Sequence, residues 1–294
     1  MDYTSNSDKI TRDFFDSLLV EPRYIDSDLP STKLELYGIS FDTPVMTAAL
    51  SHLGNTTENG MVIYAKSAAK ANAVHWVGMG EDKELKDICE TGAATIKIIK
   101  PHADNKEVFR KIEHAKKAGC FAVGMDIDHA FNGSGGYDNV LGLPMKPKTV
   151  EELRDFVQAA EIPFIVKGVL STKDAEKCLK AGCKGIQLSH HHGIMSYAVP
   201  PLMMLPEILQ VTRGEIPVFI DCGIESGMDV YKCLALGATA VSVGRHLMPL
   251  LKEGVEATAA RIKEMTNELA ATMARTGVRD LKSFDPTIIH QRTF

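Results

Sequence analysis

Cysteine is sparse and unpatterned. The 294 residues hold six, at Cys89, Cys120, Cys178, Cys183, Cys222 and Cys233, and no two form a Cys-x-x-Cys pair. That argues against a disulfide framework and leaves reduced, mostly buried thiols. An excess of either charge is also missing, with 33 basic against 38 acidic residues and a net of −5. A mildly acidic chain is a poor candidate for gripping nucleic-acid phosphates. No apolar run is long enough to span a bilayer. The opening MDYTSNSDKITRDFF lacks the segments of a signal peptide. The expectation is a cytoplasmic chain with neither a nucleic-acid nor a membrane partner.

What the chain does have is alternation. Short Val- and Ile-rich runs start at Pro44, Ala73, Ala94, Phe121, Pro163, Gly185, Pro217 and Ala240. Such runs suit strands buried on both faces. Between them the spacing predicts helices over 57–71, 81–91, 105–118, 148–160, 171–181, 201–211, 226–236 and 253–275. Thr149 and Glu152 have capping-box spacing, and Ser171 precedes a helical pattern that ends at Ala181-Gly182. The last segment repeats apolar residues at Val255, Ala259, Ile262, Met265, Leu269 and Met273, a single core-facing stripe. Eight βα units in succession predict one (β/α)8 TIM barrel over 44–294. An open doubly wound sheet is the alternative, but no Gly-x-Gly-x-x-Gly follows the first strand. Residues 1–43 read as an extension, a helix followed by a hairpin near 31–40 that closes the barrel bottom.

Barrel chemistry sits at the C-terminal ends of the strands. There the predicted fourth strand ends in Asp126-Ile127-Asp128-His129 and the fifth in Lys167-Gly168. The sixth ends in Ser189-His190-His191-His192, the seventh in Asp221-Cys222-Gly223 and the eighth in Gly244-Arg245. Lys167 at a barrel mouth can donate to an anionic ring or form a Schiff base. The glycine after it permits close approach by a ligand. If the sixth strand continues, His190 and His192 share one face and His191 takes the other. A metal site needs two same-face histidines and a carboxylate, whereas a general base needs one histidine oriented by a carboxylate such as Asp128. One functional histidine is expected, and no metal. Loops after strands seven and eight are the standard barrel site for a phosphate, with Arg245 adding a charge-assisted contact.

At these residues the sequence resembles the FMN-dependent α-hydroxy acid oxidase and dehydrogenase family. The resemblance runs through EPRYIDSDLPSTKLELYG, TPVMTAA, VKGVLSTKDAEKCLKAGCKGIQLSHHHG, DCGIESGMDVYKCLALGATAVSVGR and MARTGVRDLKSF. It implies FMN as cofactor, a small-molecule substrate, an unidentified electron acceptor and a tetrameric homo-oligomer. Residue by residue it implies that Lys167 contacts the flavin N1/O2 edge, that His191 is the base and that Asp128 pairs with it. It implies flavin contacts at Ala49, Leu50, Ser51, Lys97 and Ser189, and ribityl or phosphate contacts at Asp221, Gly223, Gly244 and Arg245.

The departures matter as much. Ile194 stands where the family has a substrate-clamping arginine, and HAFNGSGGYDN lacks the second one. Ile99 and Lys97 align with a substrate tyrosine and a flavin-contacting glutamine, Glu225 with a phosphate-side arginine and Cys222 with a glycine. Losing a bidentate arginine clamp removes energy and orientation for a carboxylate. The expectation is an FMN-dependent oxidoreductase with an altered substrate pocket, in which Lys97, His75 or His190 provides another anion anchor. Alternatives are a Schiff-base lyase or aldolase using Lys167 or Lys97, a flavin-dependent isomerase, and a non-catalytic ligand-binding barrel.

Overall fold

The protein is described by a computed structural model covering residues 5–292. Eight short strands run parallel in one sheet. They are β1 (Val45–Thr47), β2 (His75–Val77), β3 (Thr95–Ile99), β4 (Ala122–Asp126), β5 (Phe164–Val169), β6 (Gly185–Leu188), β7 (Val218–Ile220) and β8 (Ala240–Val243). The hydrogen-bonded order is β1-β8-β7-β6-β5-β4-β3-β2. The remaining seam, between β1 and β2, is bridged where Thr47 N–H donates to Val74 C=O at 3.1 Å and Gly78 N–H to Leu50 C=O at 2.8 Å. The result is a nearly closed (β/α)8 barrel.

A helix follows each strand: α1 (Gly60–Lys70), α2 (Asp82–Cys89), α3 (Asn105–Ala118), α4 (Val150–Ala160), α5 (Thr172–Ala181), α6 (Pro201–Thr212), α7 (Gly227–Ala235) and α8 (Val255–Arg275). Their ends follow local chemistry. Thr149 and Glu152 form a reciprocal capping box on α4, and Ser171 caps α5, which ends at Gly182 in the left-handed region. Along α8, Ala259, Ile262, Met265, Leu269 and Met273 are buried in one stripe.

Strand alternation sorts the core into two shells. Met46, Trp76, Ile96, Ile98, Ala122, Ile165, Phe219 and Ala240 cluster inside the barrel, while Val123, Val166, Ile186, Leu188, Val218 and Val241 pack outward against the helices. A hairpin of Leu34–Leu36 and Ile39–Phe41 plugs the bottom, adding Leu34, Leu36 and Phe41 to the inner cluster. Tyr37 Oη donates to Lys184 C=O at 2.6 Å, just before β6. The lower interior is therefore apolar, and inward polar positions occur only toward the strands' C-terminal ends.

The N-terminal helix, Asn6–Ser17, lies at the opposite rim from the hairpin, over the loops after β6, β7 and β8. Thr11 Oγ1 is 2.8 Å from His190 Nε2, and Arg12 donates to Gly223 C=O at 3.1 Å and to Asp229 at 2.8 Å. Leu18–Val20 then pairs antiparallel with Ile289–Gln291, tying the two ends of the described chain together.

Candidate active site

Parallel register brings Asp126 on β4 opposite Lys167 on β5, and alternation turns both inward. Lys167 Nζ lies 3.1 Å from one carboxylate oxygen of Asp126, and Lys100 Nζ, just beyond β3, is 2.7 Å from the other. Burial works against the charge on Lys167, but Asp126, Asp221 and Asp128 outweigh it and hold the pKa well above the usual lysine value. Burial likewise opposes the charge of Asp126, and Lys167, His191 and Lys100 overcome it, keeping the carboxyl well below its ordinary range. A Schiff base needs a neutral amine, so Lys167 is poorly suited to form one.

The three histidines do not alternate. β6 stops at Leu188, and His191 and His192 both take positive φ, 47° and 59°. The expected face-sharing of His190 and His192 is therefore lost, because a left-handed turn sends each ring its own way. His190 is buried beneath Thr11, and His192 Nδ1 is 2.6 Å from Asp8 of the N-terminal helix. His191 Nδ1 lies 3.0 Å from Asp128, 3.3 Å from Asp126 and 3.3 Å from Lys167 Nζ. Burial and Lys167 push the His191 pKa down, but Asp126 and Asp128 prevail and raise it. Ser189 Oγ accepts the His191 backbone N–H at 3.1 Å, which helps set the turn.

Gly168 has φ +95°, and a Cβ there would come within 2.9 Å of Asp128 Oδ2. What the missing side chain admits is the Asp128 carboxyl, rather than a ligand as the sequence suggests. Asp128, His129, His191 and Asp126 also offer ligand-type atoms within 4.8 Å of one another. Two ammonium groups already neutralise Asp126 in this cluster, so its arrangement suits proton handling better than a cation.

An open cleft lies beside this cluster. It is lined by Ala48, Ala49 and Leu50 after β1, by Lys167, His191 and Asp221 on its floor, and by Gly223, Glu225, Gly244 and Arg245 at its far end. Ser51, Lys97, Asp128 and Ser189 are not among the lining residues; Asp128 and Ser189 act on the cleft through His191. Lys97 sits between Ile96 and Ile98, which fill the barrel interior, so it points outward toward the helices. There its ammonium donates to Gly78 C=O, and burial lowers its pKa to about 8. The inward cation of strand three is Lys100.

His75 and His190 are also unsuited as anion anchors. His75 is fully buried, with Nδ1 2.8 Å from Thr47 Oγ1, and burial lowers its pKa to about 3. Burial lowers that of His190 as well, and its ring is covered by the N-terminal helix. The far end of the cleft differs from a simple phosphate cradle. Arg245 Nη2 is bound by Asp8 at 2.9 Å. Side chains already occupy donors at the start of α7: Asp229 accepts from the N-cap Ser226 N–H at 3.0 Å and Glu268 from the Gly227 N–H at 2.5 Å.

Sequence reasoning missed Lys100, Asp8 and the partnership of His129 with Asp138. A period-2 count extended past β3 places Lys100 inward. Nothing local links Asp8 to Arg245, 237 positions away.

Known proteins resemble this chain in sequence and in fold. The peroxisomal (S)-2-hydroxyacid oxidase of Arabidopsis thaliana is 28% identical over 90% of this chain and 81% of its own length. Glycolate oxidase of Spinacia oleracea is 26% identical over 92% of this chain and 84% of its own. A solved structure of a mandelate oxidase mutant with the monooxide FMN adduct superposes with a TM-score of 0.89 at 25% identity, covering 99% of this chain and 93% of that one. The family model for FMN-dependent dehydrogenases matches residues 4–156 and 141–291. The chain belongs to the FMN-dependent dehydrogenase family and is an FMN-dependent oxidoreductase.

Proposed function

We propose that this protein oxidises or reduces a small molecule at the hydroxyl-bearing carbon, with His191 as base and with a substrate pocket that no longer grips a carboxylate as its relatives' would. The observation that carries the reading is His191 at the cleft wall, its Nδ1 facing Asp128 at 3.0 Å beside the buried ammonium of Lys167. A carboxylate on Nδ1 fixes the tautomer, so Nε2 is the atom that exchanges a proton.

The cleft's residues fit FMN. Ala48, Ala49 and Gly244 keep one wall low beside Leu50, and a Cβ on Gly244 would already crowd Ala48 at 3.1 Å. Lys167 holds a fixed positive charge on the floor. Asp221, Gly223 and Arg245 would hold the polar tail, with Arg245 shared with Asp8. FMN supplies the two-electron chemistry when bound, and the protein supplies orientation and electrostatics. Lys167 would stabilise negative charge on the ring, and Asp128 would hold His191 in register.

The substrate end supports a less anionic substrate. Arg245 is the only arginine lining the cleft among the described residues, and it lies at the phosphate end bound to Asp8. Ile194 is 43% exposed where a clamp would stand. The neutral-amine requirement disfavours the lyase alternative, since Lys167 is firmly cationic and Lys97 points away from the cleft. A homo-oligomer, tetrameric by analogy, completes the proposal and is tested by light scattering.

The test is spectroscopic. Protein purified as expressed is expected to show flavin absorbance that bleaches anaerobically with an uncharged α-hydroxy carbonyl compound more readily than with lactate or glycolate. Equal or faster bleaching by those acids would refute the altered pocket. No flavin absorbance, together with no thermal shift on adding FMN, would refute cofactor binding itself.

A further inference from the structure

We propose that His129 and Asp138 extend His191 into a proton relay that reaches solvent. The inference rests on His191 being the base and concerns two residues that this reading does not otherwise use. His129 lies in the helical turn Ile127–Ala130 after β4. Its Nε2 is 3.1 Å from His191 Nε2, and the rings meet edge-on with centroids 4.3 Å apart and planes at 83°. On the far side, His129 Nδ1 is 3.2 Å from an Asp138 carboxylate oxygen. Asp138 is anchored on both sides, its N–H donating to Ala130 C=O at 3.1 Å and its C=O accepting from Met145 N–H at 2.8 Å.

Counting protons shows what the arrangement stores. An ionised carboxylate only accepts, so His191 Nδ1, facing Asp128 and Asp126, carries a proton, and so does His129 Nδ1, facing Asp138. Two neutral rings so arranged would set two unprotonated Nε2 atoms 3.1 Å apart with no proton between them. One further proton between the two Nε2 atoms turns that contact into an N–H···N hydrogen bond. The pair then carries a single positive charge. The charged groups around it are the carboxylates of Asp126, Asp128 and Asp138 and the ammonium groups of Lys100 and Lys167, with Asp221 beyond Lys167. Four carboxylates against two ammonium groups, Asp221 included, leave room for that one charge.

Burial, Lys100 and His191 hold His129 below the usual imidazole value, whereas His191 is raised by its two carboxylates. The shared proton therefore rests nearer His191. The deprotonated pair is the base, and the geometry seen is that of the pair after it has gained a proton. Release follows in the other direction. The shared proton moves fully onto His129 Nε2, its Nδ1–H bond breaks, and an O–H bond forms on Asp138. Asp138, with 22% of its side chain exposed, returns the proton to water, leaving His129 as its Nε2–H tautomer until proton exchange with solvent restores Nδ1–H. No electron moves in these steps.

The test is a titration of the imidazole 15N and 1H resonances from pH 5 to 9 in the FMN-loaded protein, alongside His129→Phe and Asp138→Asn. Phenylalanine keeps the edge-on ring contact and removes both nitrogens. In the native protein both rings are expected to respond together to uptake of one proton. Each variant is expected to lower the His191 midpoint by about one pH unit, a tenfold change in proton affinity. An unchanged His191 midpoint in either folded variant, or two rings titrating independently, would overturn the relay. Should His129→Phe fail to fold, Asp138→Asn, which conserves shape, decides. The measurement needs no substrate, so a protein inert toward every substrate would refute the proposed function while leaving the titration to judge the relay.

Discussion

Asp126 and Lys167 face each other in register across β4 and β5, oxygen to nitrogen at 3.1 Å, with side chains only 4% and 5% exposed. Lys100 holds the second oxygen of the same carboxylate at 2.7 Å. One buried carboxylate therefore fixes two ammonium groups and sets the charge of the cleft floor. Removing that carboxylate takes from Lys100 its buried partner and leaves Lys167 with the more distant Asp221 at 4.0 Å. Asp126→Asn is expected to cost about 3–5 kcal/mol in denaturant unfolding. A loss below about 1 kcal/mol would mean that solvent reaches the group.

Of the three adjacent histidines, His191 and His192 both line the cleft, and His191 is the one set beside Lys167 and Asp128. His191→Ala is expected to lower turnover about 10²- to 10⁴-fold, the usual range for a lost general base. His190→Ala loses the bond to Thr11 and should reduce thermal stability with a much smaller effect on turnover. Steady-state rates and melting curves of the two variants separate these outcomes. Equal losses of turnover would contradict the assignment.

Asp8 competes with any phosphate for Arg245. Burial works against its charge, but His192 and Arg245 more than compensate and hold its pKa low. Asp8→Asn keeps the shape and releases the guanidinium, so FMN is expected to bind about three- to tenfold more tightly, consistent with one added charge-assisted contact. Calorimetric titration with FMN checks this, and riboflavin, which has no phosphate, should show no such gain. Weaker FMN binding would mean that Asp8 chiefly holds the N-terminal helix in place.

Lys97 carries a pH signature. Its folded pKa is about 8, against about 10.4 for an unfolded lysine. Between those values the unfolded chain holds a proton that the folded chain has lost, so stability should rise with pH. The slope is at most about 1.4 kcal/mol per pH unit from this residue. Lys97→Met should remove that rise and stabilise the protein at pH 7. Parallel stability curves for the two proteins would show that the ammonium is solvated after all.

The barrel was legible along the chain because its causes are local. A buried parallel strand reads as a short Val/Ile run, a helix as a 3.6-residue stripe, and their ends as Ser, Thr and Gly caps. The predicted helix over 105–118 matches α3 residue for residue, and the others differ by up to three residues at an end. The cleft's rim was legible for the same reason, since barrel topology places strand ends there.

Orientation was less accessible. Lys97 on β3 and Lys100 just beyond it are three apart, and only the inward packing of Ile96 and Ile98 decides which lysine meets Asp126. The condition for alternation of the histidines, a strand that continues, is not met: β6 ends at Leu188, and His191 at φ 47° has left the extended backbone.

Residue identities by themselves determined the eight units, the rim chemistry and the family resemblance, because hydrophobic period and motif spacing are properties of neighbours in the chain. Tertiary structure alone decided which charges meet: Asp8 with Arg245, Asp126 with two lysines, and His129 with His191. Those pairings join residues 26 to 237 positions apart. Electrostatic and hydrogen-bond energies depend on distance in space and on exclusion of water, and both exist only once the barrel has closed.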